Sequence, residues 1–174
     1  MKIGITGSLS SGKSSVAKML SKNKKLLFSA DRTVSDLYSN KDFKRIIIKK
    51  FKIKKKNIKE EIKIKLLKNK INLKELSSII HPFVRKKMYD FYKKNNKKKI
   101  IFFEIPLLIE SKLMKFFDYI ILVVAPKKIR LKRYLKNGGN KSMFYLLDRN
   151  QISAKSKIKY CDFLIVNNKS KNFL

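Results

Sequence analysis

Apolar residues fall along this chain in two rhythms. Short runs without polar interruption, Ile3-Gly4-Ile5, Leu26-Leu27-Phe28, Ile100-Ile101-Phe102-Phe103, Tyr119 to Val124 and Phe163-Leu164-Ile165-Val166, predict strands buried on both faces. Between them the spacing lengthens to that of helices: Val16, Ala17 and Leu20; Val34, Leu37 and Tyr38; Met143, Phe144 and Leu147. Pro126 stands where a helix carrying Arg130, Lys132 and Arg133 would begin, and Asn137-Gly138-Gly139-Asn140 reads as a flexible turn. Alternation of this kind predicts an α/β fold, a five-stranded parallel sheet flanked by helices on both faces.

One stretch departs from the alternation. From Phe43 to Tyr92 the spacing stays helical, through Phe43, Ile46, Ile47 and Phe51, then Ile58, Ile62 and Leu66, then Leu73, Leu76, Ile79 and Ile80. A crossover between strands needs only one helix, so residues 41–97 are expected to form a helical insert on a single domain whose core is 1–40 and 98–174, and such an insert suits a second substrate. The lone histidine precedes proline, and His81-Pro82 is expected to mark a boundary or kink. A lone histidine is by itself more often structural than catalytic.

The first strand runs directly into Gly7-Ser8-Leu9-Ser10-Ser11-Gly12-Lys13-Ser14, which fits G-x-x-x-x-G-K-[ST], and the helix follows at once. That context separates a phosphate-binding loop from a chance Gly/Ser turn. The loop's amides would wrap nucleotide phosphates, with the Lys13 ammonium on the outer phosphates and the Ser14 hydroxyl offered to Mg²⁺. Ligands of open parallel sheets gather at the strands' C-terminal ends, where Asp31 and Glu104 also fall. Asp31 reads equally as an active-site carboxylate or as a helix N-cap, and Glu104 either helps to hold Mg²⁺ through water or caps a turn.

Composition narrows the classes. The 174 residues carry a formal net charge of +33, enough to suggest a nucleic-acid or anionic-membrane partner. The lysines are spread through every segment, however, which favours a bias of the whole chain over a shaped patch, and runs such as Lys54-Lys55-Lys56 and Lys97-Lys98-Lys99 read as solvated faces. Cys161, the one cysteine, excludes an internal disulfide framework and reads as a core residue. No apolar run approaches the ~20 residues of a membrane span, and a strand beginning at residue 3 leaves no room for a leader, so the cytoplasm is the expected compartment.

With these residues in place the chain resembles dephospho-coenzyme A kinase, of the P-loop nucleotide-kinase type, from Ile3 to about Asn167. The resemblance rests on Gly4-Ile5-Thr6-Gly7 leading into Ser11-Gly12-Lys13-Ser14, Ser29-Ala30-Asp31 with Leu37-Tyr38, Ile79-Ile80-His81-Pro82, Pro106-Leu107-Leu108-Ile109-Glu110, Leu131-Lys132-Arg133, Gln151, and Cys161-Asp162 to Asn167. It implies that Ser10, Ser11, Gly12, Lys13, Ser14 and Ser15 hold the ATP phosphates and that Asn167 lies near the adenine. Asp31 would be the general base toward the acceptor hydroxyl, His81 would face the acceptor, and Arg133 would sit in a lid at about 130–150. Serines stand at 8 and 10 where the family usually has glycine, Asn137 and Leu147 where it often has arginine, and Lys59 at another position commonly arginine.

The implied reaction is ATP-dependent phosphorylation of the ribose 3′-hydroxyl of dephospho-coenzyme A, giving coenzyme A and ADP with Mg²⁺ as cofactor. The expected partner is that small-molecule substrate, without specific nucleic acid or membrane, for a monomer or weak homo-oligomer. A nucleoside monophosphate kinase is the nearest alternative, and an RNA-associated NTP-binding module, suggested by the charge, is a more distant one. A signalling GTPase is disfavoured because no Asn-Lys-x-Asp segment is present.

Overall fold

A computed structural model describes residues 1–22, 24–54 and 57–168. The chain divides into two compact units, Met1–Ser29 with Tyr92–Leu174, and Ala30–Phe91.

The first unit holds the sheet. Strands β1 (Lys2–Gly7), β2 (Leu27–Ser29), β3 (Ile101–Glu104), β4 (Tyr119–Val124) and β5 (Phe163–Val166) are all parallel in the order β2-β3-β1-β4-β5. The sheet thus has the strand number and direction expected. β1 is central, with Ile5 opposite Glu104 on one side and Ile121 on the other. Ile5, Val16, Ala17, Ile121 and Val123 form a buried cluster that seats helix α1 (Lys13–Ser21) on the sheet. Leu20, expected on that apolar stripe, is exposed. β5 is an edge strand whose Phe163, Leu164 and Val166 are exposed. Its start is set by Asp162, which accepts from Ile120 N at 2.8 Å and donates its own N–H to Ile120 O at 2.9 Å. Cys161 is half-buried rather than a core residue, and desolvation pushes its thiol up to about 11.

The second unit is helical, as the long apolar spacing predicts. It contains α2 (Ala30–Leu37), α3 (Lys41–Phe51), α4 (Ile58–Leu67) and most of α5 (Leu73–Asn95). Phe43, Ile47 and Phe51 bury one face of α3 while Ile46 points out; Ile62 and Leu66 do the same for α4. The asparagine-rich composition serves here as capping: Asn40 accepts from Phe43 N at 2.8 Å and Asn57 from Glu60 N at 3.2 Å, contacts worth about 1 kcal/mol each. Phe43 packs edge-on against both Tyr38 and Phe83.

The expected break at His81-Pro82 is not a boundary. α5 runs through Pro82 without interruption. Proline removes one amide donor and costs about 3 kcal/mol in a helix interior, but buried Leu76 and Met88 on either side keep the segment helical. Lys54 and Lys97-Lys98-Lys99 are exposed, as their runs suggest, whereas Lys55 and Lys56 lie outside the described residues.

In the first unit, α6 (Lys127–Lys136) begins after Pro126, which occupies the N-cap rather than the first helical position. A turn with Gly138 at φ 76° leads to α7 (Lys141–Arg149), capped by Asn140 accepting from Met143 N at 2.9 Å. The short α8 (Ala154–Ile158) then precedes β5.

Candidate active site

Residues 7–14 leave the C-terminal end of the central strand and close onto the first turn of α1. Glycine is needed at both ends of the loop. At Gly7 a Cβ would come within 2.3 Å of the Val123 carbonyl oxygen, and at Gly12, with φ 94°, within 2.0 Å of Asn167 Nδ2. Gly12 is also the N-cap of α1, which has no side-chain cap and no acid in its first turn. The positive end of the helix is therefore left for an anion from outside. Lys13 is buried and Ser14 exposed.

Between the glycines, Ser11 N donates to Ser8 O at 3.1 Å, closing a four-residue turn. Ser10 takes the third place of that turn with φ 57°. Left-handed backbone costs a residue with a side chain about 1–2 kcal/mol, so Ser10 needs support from its surroundings.

The parallel register places Glu104 at the end of β3, and the Ser14 hydroxyl donates to Glu104 Oε1. Glu104 is 4% exposed. A hydroxyl and a carboxylate so joined are hard oxygen donors of the kind that hold Mg²⁺ together with water and phosphate. Among the described residues no three His, Cys, Asp or Glu side chains gather as a metal cage. The residues present fit the ion.

Arg133 and Asn167 close the other side of the loop. Arg133 donates through Nη1 to Asn167 O at 3.2 Å and Ser11 O at 3.4 Å, and through Nη2 to Asn167 Oδ1 at 3.1 Å. Asn167 is 4% exposed, and its Nδ2 donates to Ser11 O at 2.9 Å. These two residues and the loop form one hydrogen-bonded group.

Arg130, one turn earlier on α6, has a different place. It is buried, pairs with Asp148 at 2.6 Å, donates to Ala125 O at 3.2 Å and Leu9 O at 3.3 Å, and lies over the Phe144 ring. Burial by itself would raise the Asp148 carboxyl; the hydrogen bonds and charges of Arg130 and Lys127 outweigh it and hold the group below its ordinary value. Gln151, just past α7, accepts from Leu9 N at 2.9 Å.

A third group lies behind the loop. Lys157 is fully buried, pairs with Glu110 at 2.9 Å and donates to Pro106 O at 3.3 Å, the same carbonyl that accepts from Thr6 Oγ1 at 3.0 Å. Glu110 also accepts from Ile152 N at 3.0 Å. The segment that follows Glu104 is thereby tied to both β1 and α8. Lys157 carried no signal in the sequence, since it is one of 45 basic residues and most of the others are solvated. Asp148 was likewise silent, because it belongs to no local spacing rule.

Asp31 and His81 belong to the second unit. α2 begins at Ala30, so Asp31 stands inside its first turn and not at the N-cap, a position where its charge favours the helix dipole. His81 is half-buried on α5; burial, followed by the charge of Arg85, lowers its pKa and favours the neutral ring.

A parallel sheet in this strand order, with a G-x-x-x-x-G-K-[ST] loop on its central strand and an oxygen-donor pair beside it, defines a P-loop kinase. Residues 1–172 match the model of a protein family described as dephospho-CoA kinase. Curated relatives of that description include those of Fusobacterium nucleatum, 34% identical over 97% of this chain and 90% of the relative, and Bartonella quintana, 36% identical over 94% and 87%. Among solved structures, dephospho-CoA kinase from Campylobacter jejuni superposes with a TM-score of 0.64 at 25% identity, covering 99% of this chain and 92% of that one. TT1252 from Thermus thermophilus shares the fold with a TM-score of 0.77 at 24% identity, covering 98% and 90%. The chain belongs to the dephospho-CoA kinase family, whose reaction is the last step of coenzyme A biosynthesis. No helix among the described residues is long and apolar enough to cross a membrane.

Proposed function

We propose that this chain transfers the γ-phosphoryl group of ATP to the ribose 3′-hydroxyl of dephospho-coenzyme A, releasing ADP and coenzyme A. The observation that carries the proposal is the family match along residues 1–172. Phosphoryl transfer asks a protein for alignment and charge neutralisation more than for covalent chemistry. Lys13 and the amides of residues 10–15 would neutralise the β- and γ-phosphates, with Arg133 on the lid side and Asn167 toward the adenine. Ser14 and Glu104 would hold Mg²⁺, which when bound offsets charge on the phosphate oxygens. Asp31 would accept the proton of the attacking hydroxyl, and the helical segment at 41–97, with a neutral His81, would receive the acceptor.

A coupled assay with ATP and a panel of acceptors tests the reading. Dephospho-coenzyme A is expected to be the preferred acceptor, with ADP and coenzyme A formed in equal amounts. Preference for AMP or UMP would replace it with a nucleoside monophosphate kinase.

Arg133 yields a separate prediction. A guanidinium near the transferred group stabilises charge that develops in the transition state, and its planar fork is not copied by Lys136 nearby. Arg133→Ala is expected to lower kcat more than it raises KM for ATP, while Asn137→Arg, which restores a second lid arginine, is expected to be neutral or faster. Steady-state kinetics on both variants decides this: an unaltered kcat in Arg133→Ala reduces the residue to a scaffold for Asn167 and Ser11.

A further inference from the structure

Both peptide groups that flank Leu9 are held by side chains from outside the loop. Its N–H is drawn to Gln151 Oε1 at 2.9 Å, and its C=O receives Arg130 Nη1 at 3.3 Å. In a planar trans peptide the C=O and the following N–H point in opposite directions, so fixing Leu9 O also fixes the direction of the Ser10 amide. The Leu9 N–H fixes in the same way the preceding Ser8 carbonyl, which accepts from Ser11 N at 3.1 Å. Leu9 and Ser10 are the two central residues of that turn, and Ser10 occupies its left-handed position at φ 57° without being glycine.

We propose that Gln151 and Arg130, the latter seated by Asp148, are positioning residues that hold the Leu9 peptides so that a serine can occupy the left-handed place in the phosphate loop. Neither is a catalytic residue; each acts on the nucleotide through the backbone of the loop. Arg130 is well suited to this. Its guanidinium is buried against Phe144 and divided among Asp148, Ala125 O and Leu9 O, so its donors are directed at the protein and not at solvent. The device also couples α6 and α7 to the loop, because Arg130 comes from the first, Asp148 from the second, and Gln151 lies two residues past α7.

The inference rests on residues 7–14 being the nucleotide site, and its test separates the two. ATP affinity is measured by calorimetry on the full chain and its variants, with thermal melting as the check on folding. Gln151→Leu keeps the side chain's bulk and removes the acceptor. It is expected to weaken ATP binding ~5- to 30-fold, the scale of the left-handed penalty for a residue with a side chain. Introducing Ser10→Gly into the Gln151→Leu background is expected to recover most of that loss, because glycine adopts the turn unaided, whereas in the unaltered chain Ser10→Gly changes affinity less. A merely structural role for Gln151 would not be rescued from position 10. If Gln151→Leu does not fold, Arg130→Lys, which keeps the charge beside Asp148 but loses the fork, carries the same comparison with the same expected rescue. Unchanged affinity in the single variants, or losses that Ser10→Gly leaves in place, would overturn the proposal while Lys13→Ala still weakens binding. Normal ATP binding by Lys13→Ala would instead remove the nucleotide site on which it rests.

Discussion

Lys13→Ala is expected to abolish turnover and to weaken ATP binding together. The ammonium is a point charge in the first turn of a helix that has no acid there and no side-chain cap, an arrangement that favours an anion at that end. Because a charge in this place would serve a bound nucleotide and the transition state alike, KM for ATP should rise and kcat fall in one variant, to a residual rate near background. Calorimetry with ATP and single-turnover kinetics measure the two effects separately. Ordinary turnover in this variant would place the nucleotide elsewhere.

Asp31→Asn is expected to leave ATP affinity near normal and to lower kcat by ~10²-fold or more, the usual scale of general base catalysis. The position inside the first turn of α2 sharpens this experiment. Asparagine preserves the shape of the side chain and gives up its favourable charge at the helix end, a term of about 0.3–1 kcal/mol. A melting temperature shifted by no more than that term, together with a large fall in kcat, assigns the carboxylate to chemistry. A small kcat effect with the same small loss of stability assigns it to the helix.

The central strand, the loop and the strands at Tyr119–Val124 and Phe163–Val166 were readable from local pattern, because an uninterrupted apolar run flanked by turn residues has few other uses. Pro82 does not mark a helix boundary, because a rule about local hydrogen bonding was set against the burial of Leu76 and Met88 on either side of it in a 23-residue helix. Leu20 and Ile46 sit on correct helical stripes yet face outward, since spacing defines a face but not its width. At the site, the loop's spacing identified Lys13 and Ser14, and the resemblance pointed to Asp31, His81, Arg133 and Asn167. The hydrogen bond between Ser14 and Glu104, 90 positions apart, depends on strand register and has no local signature. Asp148 has no local spacing rule to mark it, Lys157 looks like any other of 45 basic residues until its partners are seen, and for Arg130 the sequence offered a place on its helix but not the pairing with Asp148 or the contact with Leu9 O.

The bond between Asn167 and the loop concerns the order in which the protein is made. Ser11 and Gly12 are synthesised well before their partner: the amide that fills the space above Gly12 and bonds Ser11 O comes from position 167, 156 residues after Ser11. Parallel strands cannot be completed by local hairpins, so β4 and β5 must both be laid down before that contact exists. A nascent chain therefore carries the loop without these contacts while all the residues between Gly12 and Asn167 are added. The loop thus receives the Asn167 contact only after the strands on both sides of β1 have been made.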